Sequence, residues 1–169
     1  MWAHDGSRRP PFAIAPGPGQ ESVWDYPRPP RVVADTRLVE VKAGDVTLAS
    51  TRRALRALET ASPPGFYLPA VDVDRSQLQR VPGRSLCEWK GAASYWSLAD
   101  AASPSVAWTY DDPLPAFAAL RGCFAFYASR VACYVDGERV TPQPGGFYGG
   151  WVTREIVGPM KGEPGTGHW

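Results

Sequence analysis

Residues 85–98 read Ser85-Leu86-Cys87-Glu88-Trp89-Lys90-Gly91-Ala92-Ala93-Ser94-Tyr95-Trp96-Ser97-Leu98. Two strand-like runs, 85–89 and 92–98, flank Lys90-Gly91, and Gly91 can take positive φ because it has no Cβ to clash. The stretch therefore reads as a β-hairpin. It sets the class of the fold: short strands joined by tight turns, in which successive side chains point to opposite faces.

The same grammar extends outward in both directions. Toward the N-terminus, Phe66-Tyr67-Leu68-Pro69 reads as a short edge strand, since Pro69 cannot donate to a ladder. Asp74 is placed to cap a single turn around Gln77 and Leu78. Leu38-Val39-Glu40-Val41-Lys42 alternates at period two, Ala43-Gly44-Asp45 is turn-like, and Val46-Thr47-Leu48-Ala49 follows, which predicts a second hairpin. Ser50 or Thr51 can then cap a short helix running through Glu59. Its apolar positions Ala54, Leu55 and Leu58 have helical spacing, and Pro63-Pro64-Gly65 stops it.

Toward the C-terminus, Ser105-Val106-Ala107-Trp108-Thr109-Tyr110 predicts a strand ended by Asp111-Asp112-Pro113. Cys123-Phe124-Ala125-Phe126-Tyr127 and Val131-Ala132-Cys133-Tyr134-Val135 predict a third hairpin, and Asp136-Gly137 is a strong two-residue turn signal before Glu138-Arg139-Val140. The fold class that follows is mainly β, with two packed antiparallel sheets of short strands and one or two short helices.

Composition agrees. The 169 residues include 17 glycines, 18 prolines and 20 aromatic residues, a balance that suits turns and strands rather than a helical bundle. Residues 1–30 read as a largely irregular arm. Trp24 and Tyr26 predict that it packs on the body from about residue 22. Residues 31–140 form the β-rich core domain, and 141–169 a Gly/Pro/aromatic-rich extension whose Phe147, Tyr148, Trp151 and Trp169 can clamp onto the body.

Several chemistries are disfavoured. The only histidines are His4 and His168, one in each tail, so a Ser-His-Asp triad or a Cys-His dyad has no imidazole inside the core. Cys87, Cys123 and Cys133 are odd in number and contain no Cys-x-x-Cys pair, which fits neither a disulfide framework nor a zinc knuckle. No signal-like or membrane-length apolar run is present, so a cytoplasmic location with reduced thiols and no membrane partner is expected. The net charge of +1 gives no overall basic excess for phosphate neutralisation. Arg52, Arg53 and Arg56 make a basic patch on the expected helix, read as a solvated face, and no nucleic-acid partner is expected.

The run Cys87 to Trp96 resembles the core of the bacterial domain-of-unknown-function 427 family. So do 53–60, 64–69 and Ala107-Trp108-Thr109-Tyr110-Asp111-Asp112-Pro113, with Phe126-Tyr127 and Val135-Asp136-Gly137-Glu138 completing the order. The blocks span residues 36–140, and Pro144 to Trp151 looks like an extension found in a subset of that family. The resemblance implies a mostly β domain of two sheets akin to the β-tent group, which includes zinc-bearing thiol proteins and an aromatic-cage binding domain. It implies no established activity. The family sometimes carries a nucleotidyltransferase-like label, for which Asp72-Val73-Asp74 would be the magnesium pair. The Gly-Ser turn that would grip nucleotide phosphates is missing, as is any Walker or Rossmann loop, so magnesium is not expected and the cofactor stays unassigned.

The candidate site centres on the hairpin. Cys87 and Trp89 share one face, Leu86 and Glu88 the other, and a tight turn would bring Cys87 near Tyr95. Cys87 can serve as a thiolate activated by Lys90, or Lys90 as the anchor of an anionic ligand; the plain alternative is a core thiol beside a solvated turn lysine. Glu59, expected at the helix end, can reach the region of Lys90 and form a buried pair. Tyr67, Trp89, Tyr95, Trp96, Trp108 and Tyr110 can wall a pocket for a planar or cationic ligand, or simply fill a small core.

Three functions follow: a small-molecule-binding module using Glu59, Tyr67, Lys90, Tyr95, Trp96, Trp108 and Tyr110; a histidine-independent enzyme with Cys87 or Lys90 as nucleophile; or an interaction domain docking through its aromatic tails. The oligomeric state is left open.

Overall fold

Period-two alternation organises most of the chain into short strands. The computed structural model describes residues 2–101 and 104–169. Its strands are β1 (Glu21–Ser22), β2 (Arg31–Asp35), β3 (Val39–Ala43), β4 (Val46–Thr51), β5 (Ala54–Leu58), β6 (Gly65–Tyr67), β7 (Leu78–Cys87), β8 (Gly91–Leu98), β9 (Ala107–Thr109), β10 (Phe124–Phe126), β11 (Ala132–Val135), β12 (Glu138–Arg139), β13 (Thr141–Pro142), β14 (Trp151–Val152) and β15 (Ile156–Val157). Two four-stranded sheets, β12-β11-β3-β4 and β10-β9-β8-β7, stand beside a three-stranded sheet, β2-β5-β6, and two ribbons, β1-β15 and β13-β14. The fold is mainly β and antiparallel, as the sequence implies. Its helical segments are 3-10 turns, the longest being Pro115–Leu120.

The two four-stranded sheets face one another across the main core. Val39, Val41, Leu48, Cys133 and Val135 from one meet Ala107, Phe124 and Phe126 from the other, each at most 3% exposed. The opposite face of β10-β9-β8-β7 carries a second apolar cluster, with Ala93, Tyr110, Phe117, Leu120 and Ala125. Alternation along β10 assigns Phe124 and Phe126 to the first cluster and Ala125 to the second.

The expected hairpin over 38–49 is β3–β4, and Asp74 caps its turn by accepting from the Ser76 amide. Gly91 opens β8 at φ +104°, and Asp136-Gly137 turns β11 into β12 at φ +46° and +80°.

Two expectations are overturned. Residues 54–58 are a strand, not a helix. β5 pairs on both sides, with β2 and with β6, and those two ladders outweigh the modest helical preference of Ala-Leu-Arg-Ala-Leu. Thr51 Oγ1 does accept from a nearby amide, that of Arg53 at 2.9 Å, but in the turn between β4 and β5. The expected third hairpin is also absent. β10 pairs with β9 and β11 with β3, so the turn at 127–131 carries the chain from one sheet to the other.

Leu68, just after β6, exchanges two 2.8 Å backbone hydrogen bonds with Phe124 of β10. This joint links the three-stranded sheet to an edge of β10-β9-β8-β7. Tyr67 of β6 is thereby brought against Trp108 and Tyr110.

The two ends of the chain meet in a third apolar cluster around Val23, Trp24 and Ile156. Packing of the arm begins earlier than residue 22: Phe12 stacks on Trp169 at 5.1 Å and His4 sits edge-on to Trp24 at 5.1 Å. The supposed solvated arginine face is partly internal. Arg56 is drawn inward, to Glu21 at 3.0 Å and Asp35 at 3.3 Å, while Arg53 stays exposed and reaches Asp72 at 2.7 Å; Arg37, outside that patch, also reaches Asp35 at 2.7 Å.

Candidate functional site

The cavity of interest has a volume of about 670 Å³ and lies between the β5-β6 face, the outer face of β7-β8-β9 and the segment 143–150. β5 and β6 place Ala57, Gly65 and Tyr67 on it, since Ala57 is opposite Gly65 and Leu55 opposite Tyr67 in the ladder. β8 and β9 place Ala93, Tyr95 and Trp108, with Tyr95 directly across from Trp108. Tyr67 meets Trp108 edge-on at 6.3 Å and lies 6.2 Å from Tyr110, while Trp108 lies 4.6 Å from Tyr127.

Glu59, Tyr67, Lys90, Tyr95, Trp108, Tyr110 and Cys87 all line this one space. Trp96 does not. One residue along β8 from Tyr95, it points to the other face, where it packs 5.1 Å from Phe124, lies under Arg80 at 4.7 Å and donates from Nε1 to Thr109 Oγ1 at 3.1 Å. Along β8 the period of two turns the side chains of Tyr95 and Trp96 to opposite faces.

The expected approach of Cys87 to Tyr95 across the ladder is also corrected. Cys87 pairs with Gly91, and it is Ser85 whose Oγ shares a 2.5 Å hydrogen bond with Tyr95 Oη. Glu59 follows a strand rather than ending a helix, and its ion-pair partner is Arg28, with Nε at 3.2 Å, not Lys90. The two acidic residues of Asp72-Val73-Asp74 serve local contacts: Asp72 accepts from Thr51 and Arg53, and Asp74 from Ser76.

The polar groups on the cavity differ in environment. Lys90 is 9% exposed, in the turn between β7 and β8, and its carbonyl accepts from the Leu114 amide at 3.0 Å. Among the described residues no carboxylate lies within ion-pair distance of its ammonium. Burial raises the Tyr67 and Tyr110 hydroxyls well above the ordinary phenol range, and the Tyr127 hydroxyl to about 12, so all three stay protonated donors near neutral pH. Cys87 is a half-buried free thiol. Cys123 and Cys133 are buried elsewhere, and burial raises both thiols, Cys133 to about 12.

Sequence reasoning missed the third wall. Gln143, 4% exposed, clamps the segment behind it: its Oε1 accepts from the Gly150 amide at 3.0 Å and its Nε2 donates to the Lys161 carbonyl at 2.8 Å. Gly149 lies so close to Trp108 that an added Cβ would stand 2.2 Å from the indole ring. Phe147 and Tyr148, edge-on at 4.9 Å, flank the mouth and are 79% and 39% exposed. The visible signal was the pair Phe147-Tyr148 set between two Gly-Gly steps.

Among the described residues no group of three or more His, Cys, Asp or Glu is placed to hold a metal ion, and no helix is long and apolar enough to cross a membrane.

Fold and cavity together define a small mainly β domain with an aromatic-walled recess between its sheets. Residues 31–137 match the family described as Domain of unknown function (DUF427), and the chain belongs to that family. No curated protein matches it.

Proposed function

We propose that the protein is a small-molecule-binding module whose ligand occupies the cavity between β6, β8-β9 and the 143–150 segment. The observation that supports this reading most is the size and lining of the recess. A volume of about 670 Å³ lies in the range of small-ligand sites, and the walls pair aromatic rings with a few polar groups, as such sites do. Tyr67, Trp108 and Tyr110 supply flat surfaces, and Lys90 and Glu59 supply orientation.

The test starts with native and denaturing mass spectrometry of one purified sample, in which extra mass lost on denaturation reports a bound ligand. The stripped protein is then titrated with 1-naphthamide, a neutral planar probe. Saturable binding that disappears when Ser62→Trp fills the cavity rim supports the module reading. Absence of binding to the stripped wild-type protein, or binding unchanged by the Ser62 variant, rejects it. Extra mass that survives denaturation on Cys87 or Lys90 would instead support a covalent enzyme.

A further inference from the structure

We propose that the ligand of this cavity is a planar, ring-containing carboxylate whose anionic group rests on the Lys90 ammonium. The inference deepens the cavity reading and rests on it.

Charge bookkeeping around the recess leads there. Three ionic side chains line it: Glu59, Lys90 and Arg130. Glu59 is already held by Arg28 Nε at 3.2 Å. Arg130 donates from Nη1 to the Ser105 carbonyl at 2.5 Å and lies over the Tyr127 ring at 4.4 Å. Lys90 alone has no such partner: it is nine-tenths buried, its ammonium stands 5.8 Å from the Phe117 ring, and no carboxylate of the described residues pairs with it. The Lys90 side chain is held in the wall while its ammonium opens onto the recess, so an anion in the cavity meets a cation that no carboxylate of the described residues already neutralises.

The neighbouring groups are donors as well. Tyr110 is close enough for the Lys90 charge to favour its ionised form, but burial dominates and keeps the hydroxyl protonated. Tyr67, also buried, behaves alike. An oxyanion accepts from such groups, whereas a cationic ligand would meet only the already paired Glu59. Lys90 sits beside the Tyr67 and Tyr110 hydroxyls, where one oxyanion is met by one ammonium, while Arg130 is held at the rim by the Ser105 carbonyl and the Tyr127 ring. The rings of Tyr67, Tyr95 and Trp108 then face the planar part of the molecule.

Calorimetric titration of the full chain with 1-naphthoate and 1-naphthamide, at neutral pH and low salt, tests the inference. The two probes share a ring system and differ in charge. The carboxylate is expected to bind at least ten-fold more tightly. Lys90→Met should erase that preference, and Lys90→Arg should retain it. The Lys90→Met protein should melt close to wild type, since the ammonium makes no ion pair among the described residues and the methionine keeps most of the apolar stem. Equal affinity of the two probes in wild type, or a preference that persists in Lys90→Met, overturns the carboxylate assignment while the cavity reading stands. Failure of both probes to bind overturns both readings.

Discussion

Phe66 of β6 and Trp151 of β14 stack nearly parallel, with ring centroids 4.7 Å apart and planes 15° from coplanar. Trp151 is 1% exposed and donates from Nε1 to the Phe126 carbonyl at 2.9 Å, while its amide donates to the Pro64 carbonyl at 2.8 Å. One side chain thus ties the C-terminal segment to the sheet joint that bounds the cavity. Trp151→Ala removes the stack and orphans a buried carbonyl, and should cost about 3–5 kcal/mol of stability. Urea unfolding followed by circular dichroism measures it; a loss below about 1 kcal/mol would show that the C-terminal segment contributes little to the core.

Gly149 should tolerate no side chain. A Cβ at this position would stand 2.2 Å from the Trp108 ring, which is itself packed against Tyr67 and Tyr127. Gly149→Ala must therefore displace the indole or the 143–150 segment, with an expected overpacking cost of about 1–3 kcal/mol. A shifted Trp108 indole resonance in a heteronuclear spectrum would report the displacement. An unchanged spectrum and melting temperature would contradict the close approach.

The three thiols should label in a fixed order. Cys87 is half-buried on the cavity, whereas Cys123 and Cys133 are buried and burial holds their thiols in the protonated, unreactive form. Iodoacetamide followed by peptide mass mapping should modify Cys87 first, with the other two protected until the protein unfolds. A saturating cavity ligand should slow labelling at Cys87 alone. Early modification of Cys133 would mean that the main core opens readily.

Acid should weaken the link between the arm and the sheets. Burial opposes ionisation of Asp35 and Glu155, but hydrogen bonds, those of Arg37 to Asp35 and of Thr153 and Arg37 to Glu155, outweigh it and leave both carboxyls below their usual range. Glu21 is lowered likewise, burial again opposing and Arg56 and Tyr26 prevailing. Carboxyls depressed in the folded state contribute stability that is complete above their unfolded pKa values, near 4. That stability is lost as pH falls through the lower folded values. The melting temperature should thus hold between pH 5 and 7 as far as these groups are concerned and fall below about pH 4. Asp35→Asn should lower it at pH 7 and flatten the acid slope; an unaltered slope would remove Asp35 from the network.

What the sequence by itself determined were the features whose cause is local. The hairpin over 85–98, whose turn proves to be Glu88-Trp89-Lys90 rather than Lys90-Gly91, the Asp136-Gly137 turn, the Asp74 cap and the alternation of 38–42 all follow from neighbours within a few residues. The placing of Tyr67, Tyr95, Trp108 and Tyr110 with Lys90 and Glu59 around one space has no such local cause. The tertiary structure decided the rest. Ala54–Leu58 became a strand because β2 and β6 supplied partners on both sides, which no local propensity encodes. Trp96 left the cavity because strand phase, not residue type, chooses the face. The cavity itself needs the Leu68–Phe124 joint and the Gln143 clamp, contacts between residues distant in sequence. Lys90 could be seen in the sequence, but only folding set it in the cavity wall away from the carboxylates of the described residues, and that environment gives the residue its chemical meaning.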